Sequence, residues 1–180
     1  MARVILNAGH GGSDSGGTYM GRMEKDDNLR MAAAIGDILS KNGIEVYYTR
    51  VSDEFISPVA RVKEINQLGG DLLVDIHRGF PTPEHFSGVR AFLDHEDGTP
   101  ETAAENVLNN LQKLGFHNYG VSIRERNYLL EYSEVPGFLI DIGYIDSDFD
   151  NHMYDVHFYE IANVVAKGII DTLKQNNLNR

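Results

Sequence analysis

"RVILNAGHGG", residues 3–12, runs from an apolar segment into three glycines that surround a single histidine, His10. An apolar run with β-branched residues that stops at glycine is typical of a short buried strand followed by a turn. Glycine adopts backbone angles that other residues avoid and lets other groups approach the main chain closely. The segment therefore predicts a first buried strand whose end presents His10 in a glycine-rich loop.

Strand and helix patterns alternate along the rest of the chain. Strand patterns cover residues 44–49, 71–77, 88–93 and 137–145, with a less regular extended stretch at 127–132, and helix patterns cover 28–39, 57–68, 99–115 and 155–173. Such alternation is typical of an α/β domain. We therefore expect one domain over residues 1–180, with a mostly parallel sheet, helices on both faces and a loop at 78–87.

The composition excludes several kinds of site and partner. The chain has no cysteine, so any metal must be held by histidine and carboxylate side chains. A net charge of -11 argues against nucleic acid as a partner. No apolar run approaches the roughly 20 residues of a membrane span, and no signal peptide is visible. We expect synthesis in the cytoplasm and no membrane insertion. The sequence does not predict an oligomeric state.

Four ionisable residues lie at predicted strand ends or in the loop beyond them. His10 follows the first strand, His77 ends the third, Asp141 lies late in the last, and Glu24 precedes the first helix. Ligands of an open parallel sheet bind beyond the carboxyl ends of its strands. Two histidines and a carboxylate form one catalytic zinc arrangement, in which a further carboxylate serves as general acid or base. The four residues therefore predict a zinc centre at this edge.

Each of these residues also has a structural interpretation. His10 can be a turn histidine bonded to backbone, His77 a satisfied core histidine, and Glu24 a helix-start carboxylate favoured by the helix dipole. Asp141 is harder to explain in this way, because an unpaired buried carboxylate is costly. The "GHGG" segment can also cradle a phosphate, although no Lys-Ser/Thr pair follows it.

Six segments, taken in order, resemble the zinc-dependent N-acetylmuramoyl-L-alanine amidases, the type-3 amidase family of bacterial autolysins and phage endolysins. They are "GHGGSDSGG", "MEKDDNLRMA", "YYTR", "ARVKEIN", "DLLVDIH" and "PGFLIDIGYIDSDFDN". The resemblance extends from Val4 to Ile170. It implies a single α/β domain with a six-stranded sheet and one zinc ion. It also implies hydrolysis of the peptidoglycan amide that joins N-acetylmuramic acid to L-alanine.

The same resemblance assigns roles to individual residues. It implies zinc ligands at His10, Glu24 and His77, and a catalytic carboxylate at Asp141, where the family has glutamate. Aspartate is one methylene shorter, which sets its carboxylate back by roughly 1.5 Å. A displacement of about 1 Å in a catalytic group can cost on the order of a hundredfold in rate.

Two further departures from the family pattern lie beside the predicted ligands. The family has Asp-Pro where this chain has Asn7-Ala8, and we expect this change to weaken the support of His10. It has a small residue and asparagine where this chain has Arg78-Gly79. We expect Arg78 to bind substrate by pairing with a carboxylate of the stem peptide, although a solvated loop arginine is an equally simple interpretation.

Two other functions remain open from the sequence. One is a zinc-containing module that binds the cell wall and has lost catalysis through the aspartate. The other is a zinc peptidase that cleaves within the stem peptide by similar chemistry. With no signal peptide visible, we expect the protein to reach peptidoglycan only after release or lysis, as an endolysin or as an autolysin of a lysing cell.

Overall fold

The computed structural model describes residues 1–81, 86–95, 98–124 and 127–178. Its strands are β1 (Arg3–Ala8), β2 (Thr18–Tyr19), β3 (Arg22–Met23), β4 (Glu45–Tyr48), β5 (Leu72–Gly79), β6 (Val89–Leu93), β7 (Asn118–Ile123) and β8 (Gly137–Tyr144). Its helices are α1 (Glu24–Lys41), α2 (Pro58–Leu68), α3 (Gly98–Lys113), α4 (Tyr128–Tyr132), α5 (Asp148–Val156) and α6 (Phe158–Leu178).

The central sheet contains six strands in the order β4-β1-β5-β8-β6-β7. The first four of these strands are parallel, β6 pairs antiparallel with β8, and β7 runs parallel to β6. β2 and β3 form a separate two-stranded hairpin. The expectation of a single α/β domain with a six-stranded, mostly parallel sheet is confirmed. β6 and β7 are the two strands of the sheet that run in the opposite direction.

Alternate residues of the strands belong to two different hydrophobic clusters. Val4, Leu6 and Ala8 of β1 lie in the larger cluster with residues of α1, α3 and α6. Ile5 of β1 lies in the smaller cluster with residues of α2 and α4, together with Leu73 of β5. Side chains of successive strand residues point to opposite faces of a sheet. The smaller cluster therefore covers the strand beginnings on its face, which leaves the carboxyl ends of that face to polar residues.

Several predicted elements have different bounds or a different type. α1 begins at Glu24, four residues before the predicted start, with three acidic residues in its first turn. The extended stretch predicted at 127–132 is wrong: the Asn127 side chain accepts hydrogen bonds from the amides of Leu129 and Leu130, and caps α4 instead. The pattern read as one helix over 155–173 is divided between α5 and α6 at His157.

Two further differences concern the strands. β7 was not predicted, since residues 118–123 lack a clear apolar alternation; only its pairing with β6 makes it a strand. In the segment predicted as a loop at 78–87, Arg78 and Gly79 complete β5. Residues 82–85 of that segment lie outside the described residues. Among the helices of the described chain, none has the length and apolar content needed to cross a membrane.

Gly168 tests the packing of α3 against α6. A Cβ added at Gly168 would lie 2.8 Å from both the amide nitrogen and Cγ2 of Val107 on α3. We expect Gly168→Ala to lower the free energy of unfolding by about 1–3 kcal/mol, because overpacking outweighs the better helix propensity of alanine. Denaturant unfolding measures the change.

Gly98→Ala is the matched control for this substitution. Gly98 lies at the start of α3, and a Cβ there would have no described atom within 4 Å. We expect this variant to match the unsubstituted protein or to exceed it slightly in stability. Equal stability of the Gly98 and Gly168 variants would contradict the close packing of the two helices.

Candidate active site

The Glu24 carboxylate lies between the imidazole rings of His10 and His77. Its Oε2 is 3.1 Å from Nε2 of His10, and its Oε1 is 2.9 Å from Nδ1 of His77. The amide of Gly17 donates to Oε2 at 2.9 Å, and the amide of Arg78 donates to Oε1 at 3.1 Å. Glu24 is 3% exposed. Its carboxylate is therefore held in one orientation by groups from two separate segments, the loop after β1 and the end of β5.

Three elements bring these residues together. The glycine-rich loop after β1 carries His10, α1 begins at Glu24, and β5 carries His77 near its carboxyl end. The amide of Glu24 donates to the carbonyl of Gly17 at 2.9 Å, which joins the helix start to the end of the glycine loop. His10 itself has a φ of 62°, in the left-handed region that few residues with a side chain adopt.

Two glycines make the approach of the rings possible. A Cβ on Gly9 would lie 2.2 Å from Cε1 of His77, and one on Gly16 would lie 2.5 Å from Cδ2 of His10. Any side chain at either position would displace a predicted metal ligand. Glycine at positions 9 and 16 therefore reflects close contact between the backbone of this loop and the two imidazoles.

A second carboxylate lies on the other nitrogen of each imidazole. Oδ2 of Asp14 is 2.8 Å from Nδ1 of His10, and Oδ1 of Asp75 is 3.1 Å from Nε2 of His77. Carboxylates in such positions orient imidazole ligands and fix their tautomers. The sequence analysis missed both residues. Asp14 lies four residues after His10, and Asp75 lies two residues before His77 on the same strand face, so spacing alone was a usable signal.

Asn7 supports His77 rather than His10. Its Nδ2 donates to Oδ1 of Asp75 at 2.5 Å, and Asp75 in turn contacts His77. The expectation that Asn7 weakens the support of His10 is wrong, because the side chain next to Nδ1 of His10 is Asp14. Asn7 also accepts hydrogen bonds from Thr49 and Arg61, so its own orientation is fixed.

The contacts among Glu24, His10 and His77 shift the pKa values of all three residues. Burial acts to raise the pKa of Glu24, but hydrogen bonds with His10 and His77 outweigh it and keep that pKa far below its usual value. Burial acts to lower the pKa of His77, but Asp75 and Glu24 outweigh it and keep that pKa well above 6.5. Burial likewise opposes a raised pKa at His10, and the Glu24 carboxylate outweighs it there.

The geometry of His10, Glu24 and His77 fits a metal ion. One ligand atom from each residue lies within 4.8 Å of the other two. Two imidazoles and one carboxylate are a donor set that suits zinc, and three protein ligands leave a further position for water or substrate. All three residues line an open cavity of about 520 Å³.

Asp141 lines the same cavity from the neighbouring strand. In the parallel pairing of β5 with β8, Asp141 is the register partner of His77, and in the antiparallel pairing of β6 with β8 it is the partner of Arg90. Nε of Arg90 donates to Oδ2 of Asp141 at 2.8 Å. Burial raises the pKa of Asp141, although His77 and Arg90 oppose the change. The structure thus brings all four predicted ionisable residues to one cavity.

The predicted substrate contact of Arg78 is wrong. Its side chain is 0% exposed and donates to Oδ2 of Asp27 at 2.5 Å and to Oδ1 of Asn151 at 2.8 Å. Its guanidinium carbon lies 4.2 Å from the ring centroid of Tyr154. Arg78 therefore belongs to the packing between β5, α1 and α5, and only its backbone amide takes part in the site, through Glu24.

Comparison with known proteins adds a family and several structures to this geometry. The family model described as N-acetylmuramoyl-L-alanine amidase matches residues 4–171. The probable cell wall amidase LytH of Staphylococcus epidermidis is 30% identical over 176 residues, which cover 96% of this chain and 57% of that protein. The chain thus spans somewhat more than half the length of the curated relatives that it matches.

Two solved structures show the same fold over nearly all of this chain. Cwp6 from Clostridium difficile superimposes with a TM-score of 0.88 at 30% identity, covering 95% of this chain and 29% of that one. The N-acetylmuramoyl-L-alanine amidase AmiC2 of Nostoc punctiforme gives a TM-score of 0.85 at 26% identity, covering 96% and 97%.

Zinc binding should release protons from the site. Because the pKa values of His77 and His10 are raised, both imidazoles keep their protons to higher pH in the metal-free protein than free imidazoles do, whereas a metal ligand must be unprotonated. We expect protons to be released on zinc addition and the affinity to rise as the pH increases. Calorimetric titration in buffers of different ionisation enthalpy measures both quantities.

Asp75→Asn should weaken zinc binding by about 10–100-fold, since it removes the carboxylate partner of His77, and it should also reduce proton release. Asp171→Asn, in an exposed pair with Lys167 on α6, is the control and should behave as the unsubstituted protein. Zinc binding without proton release, or unchanged release in Asp75→Asn, would contradict these charge assignments.

Arg78→Ala tests the structural role of that arginine. The substitution leaves the buried Asp27 carboxylate with one arginine partner instead of two, and we expect it to lower the free energy of unfolding by about 3 kcal/mol. Lys167→Ala, which breaks an exposed pair, should change stability little. Full stability of Arg78→Ala combined with a raised KM would restore the substrate-binding role.

Proposed function

This chain belongs to the N-acetylmuramoyl-L-alanine amidase family, and we propose that residues 1–180 form a catalytic domain with one zinc ion. In this proposal the domain hydrolyses the peptidoglycan amide between N-acetylmuramic acid and L-alanine. The observation that carries the proposal is the meeting of Glu24 with His10 and His77, one strand away from the carboxylate of Asp141. A relative described as a probable cell wall amidase supports the choice of substrate.

His10, Glu24 and His77 would hold the zinc ion. When bound, zinc supplies Lewis-acid polarisation of the substrate carbonyl and promotes the ionisation of water near neutral pH. The work of the protein is to hold the three ligands in place before the ion arrives. Asp14 and Asp75 fix the two imidazoles, and the amides of Gly17 and Arg78 fix the carboxylate.

Asp141 is the group that moves the proton. It would accept a proton from the attacking water and deliver it to the departing nitrogen of L-alanine, as a general base and then a general acid. Arg90 donates to Oδ2, so we assign the proton to Oδ1. Burial, which raises the pKa of Asp141, favours acceptance of the proton.

The shorter side chain at position 141 is compensated by its surroundings in this proposal. Asp141 lies directly beside His77 in the sheet, and Arg90 fixes its carboxylate from the opposite strand. A side chain with few rotatable bonds that is held at one oxygen loses little conformational freedom when substrate binds. We therefore expect aspartate at this position to support catalysis rather than to abolish it.

The test is to measure new amino termini released from purified peptidoglycan. We expect the zinc-loaded protein to release L-alanine amino termini and a chelated sample to release none. Asp141→Asn should lower the rate by about 10²–10⁴-fold, since it removes proton transfer but not the metal ligands. Asp171→Asn, on the exposed face of α6, should retain the full rate.

Each other outcome replaces a specific part of the proposal. Amino termini other than L-alanine would identify a peptidase. Retained wall binding with no release from zinc-loaded protein would identify a binding module. Release that survives Asp141→Asn would keep the amidase and remove Asp141 as the proton carrier.

A further inference from the structure

Two arginines supply the accessible positive charge of the active-site cavity. Four arginines line it, and two of them are buried: Arg61 donates to Asn7 and to the carbonyls of Ala8, His10 and Ile56, and Arg78 is paired with Asp27. The remaining two are Arg90 and Arg124. Any anionic group that enters the cavity would meet these two guanidinium groups.

Arg90 has donors left over after it binds Asp141. It bonds Asp141 through Nε, and within the described part of the chain its Nη atoms have no protein acceptor. Its guanidinium carbon lies 4.8 Å from the ring centroid of Phe92 and 5.2 Å from that of Tyr144. Two aromatic rings and one carboxylate thus fix the group while 30% of the side chain stays exposed.

Arg124 lies on the same aromatic ring as Arg90. Its guanidinium carbon is 5.0 Å from the centroid of Phe92, and its backbone amide donates to the carbonyl of Leu93 at 2.9 Å. Phe92 therefore contacts two guanidinium groups, both arginines line the cavity, and one of them holds Asp141. A planar guanidinium binds a carboxylate through two parallel hydrogen bonds, which an ammonium group cannot do.

The negative charge of the rest of the protein limits where an anionic group of the substrate can bind. The chain has a net charge of -11, and the cavity also contains the carboxylates of Asp14, Glu24, Asp75 and Asp141. A peptide carboxylate would be repelled from this surface unless cations lay at the place where it binds. The two arginines on Phe92 are such cations.

We propose that Arg90 and Arg124 bind a free carboxylate on the residue that follows L-alanine in the substrate peptide. The inference rests on the proposed function and names the form of substrate that this site prefers. Arg90 is one hydrogen bond away from Asp141, which we place at the scissile amide. The bound carboxylate therefore lies close to that amide, and a carboxamide at the same position binds more weakly because it carries no charge.

Two small substrates test this preference directly. One is N-acetylmuramoyl-L-alanyl-D-isoglutamate with its γ-carboxyl blocked as a methylamide, which leaves one free carboxylate, the α-carboxylate, on its second residue. The other is the corresponding isoglutamine blocked in the same way, which has a carboxamide at that position and no free carboxylate. We expect kcat/KM of the zinc-loaded protein to be about 10–100-fold higher for the carboxylate, as the loss of a charge-assisted hydrogen bond implies. The difference should shrink with added salt.

Three variants locate the preference. Arg124→Gln should raise KM for the carboxylate substrate and lower the ratio of the two kcat/KM values. Arg90→Gln should lower the ratio and also reduce kcat on both substrates, because Arg90 holds Asp141. Arg30→Gln is the matched control: Arg30 is exposed and packs on Phe158 of α6, and it should preserve the ratio.

The outcomes separate this inference from the proposed function. Equal kcat/KM values for the two substrates, or a ratio that survives both Arg90→Gln and Arg124→Gln, would overturn the inference and leave the amidase intact. If neither substrate nor intact peptidoglycan is cleaved, the proposed function fails. Calorimetric binding of the two compounds to the unsubstituted and Arg124→Gln proteins then decides the inference by the same carboxylate-to-carboxamide ratio.

Discussion

The contact of the Glu24 carboxylate with two imidazoles is the interaction on which the site depends. A buried carboxylate is costly unless its oxygens are paired, and here they receive the amides of Gly17 and Arg78 as well as the contacts with His10 and His77. The start of α1, the turn after β1 and the end of β5 must all lie where these bonds can form. The fold of this edge and the chemistry of the cavity thus follow from one requirement.

The sheet supplies the second constraint through its two-residue alternation. On the face of the smaller cluster, Ile5, Leu73 and Leu139 are followed along their strands by Asn7, Asp75 and Asp141. Apolar packing against α2 and α4 covers the strand beginnings, and paired polar groups occupy the carboxyl ends. The cavity lies at that end, where Pro58 of α2 and Tyr128 of α4 also line it, so apolar packing and functional groups occupy different halves of one face.

Much of the site was predictable from the sequence because strand ends are visible in it. The apolar runs before His10, His77 and Asp141 locate three carboxyl ends, and a parallel sheet brings such ends together. Side-chain direction and cross-strand register are not visible in the same way. Arg78 was misassigned because its direction depends on Asp27 and Tyr154, far away in sequence. Arg90 was missed because only the β6–β8 register places it on Asp141. β7 and α4 were not predicted for a related reason. β7 depends on its partner strand, and α4 depends on a single side-chain cap.

Zinc-edge anomalous diffraction from crystals of the zinc-loaded protein tests the central claim most directly. The account predicts one strong peak within about 2.0–2.2 Å of an imidazole nitrogen of His10, a carboxylate oxygen of Glu24 and an imidazole nitrogen of His77. It also predicts that Asp75 and Asp14 stay on the outer nitrogens of the two rings. A peak elsewhere would contradict the assigned ligands, and an ion bound by Asp141 in place of Glu24 would also contradict the assigned proton carrier.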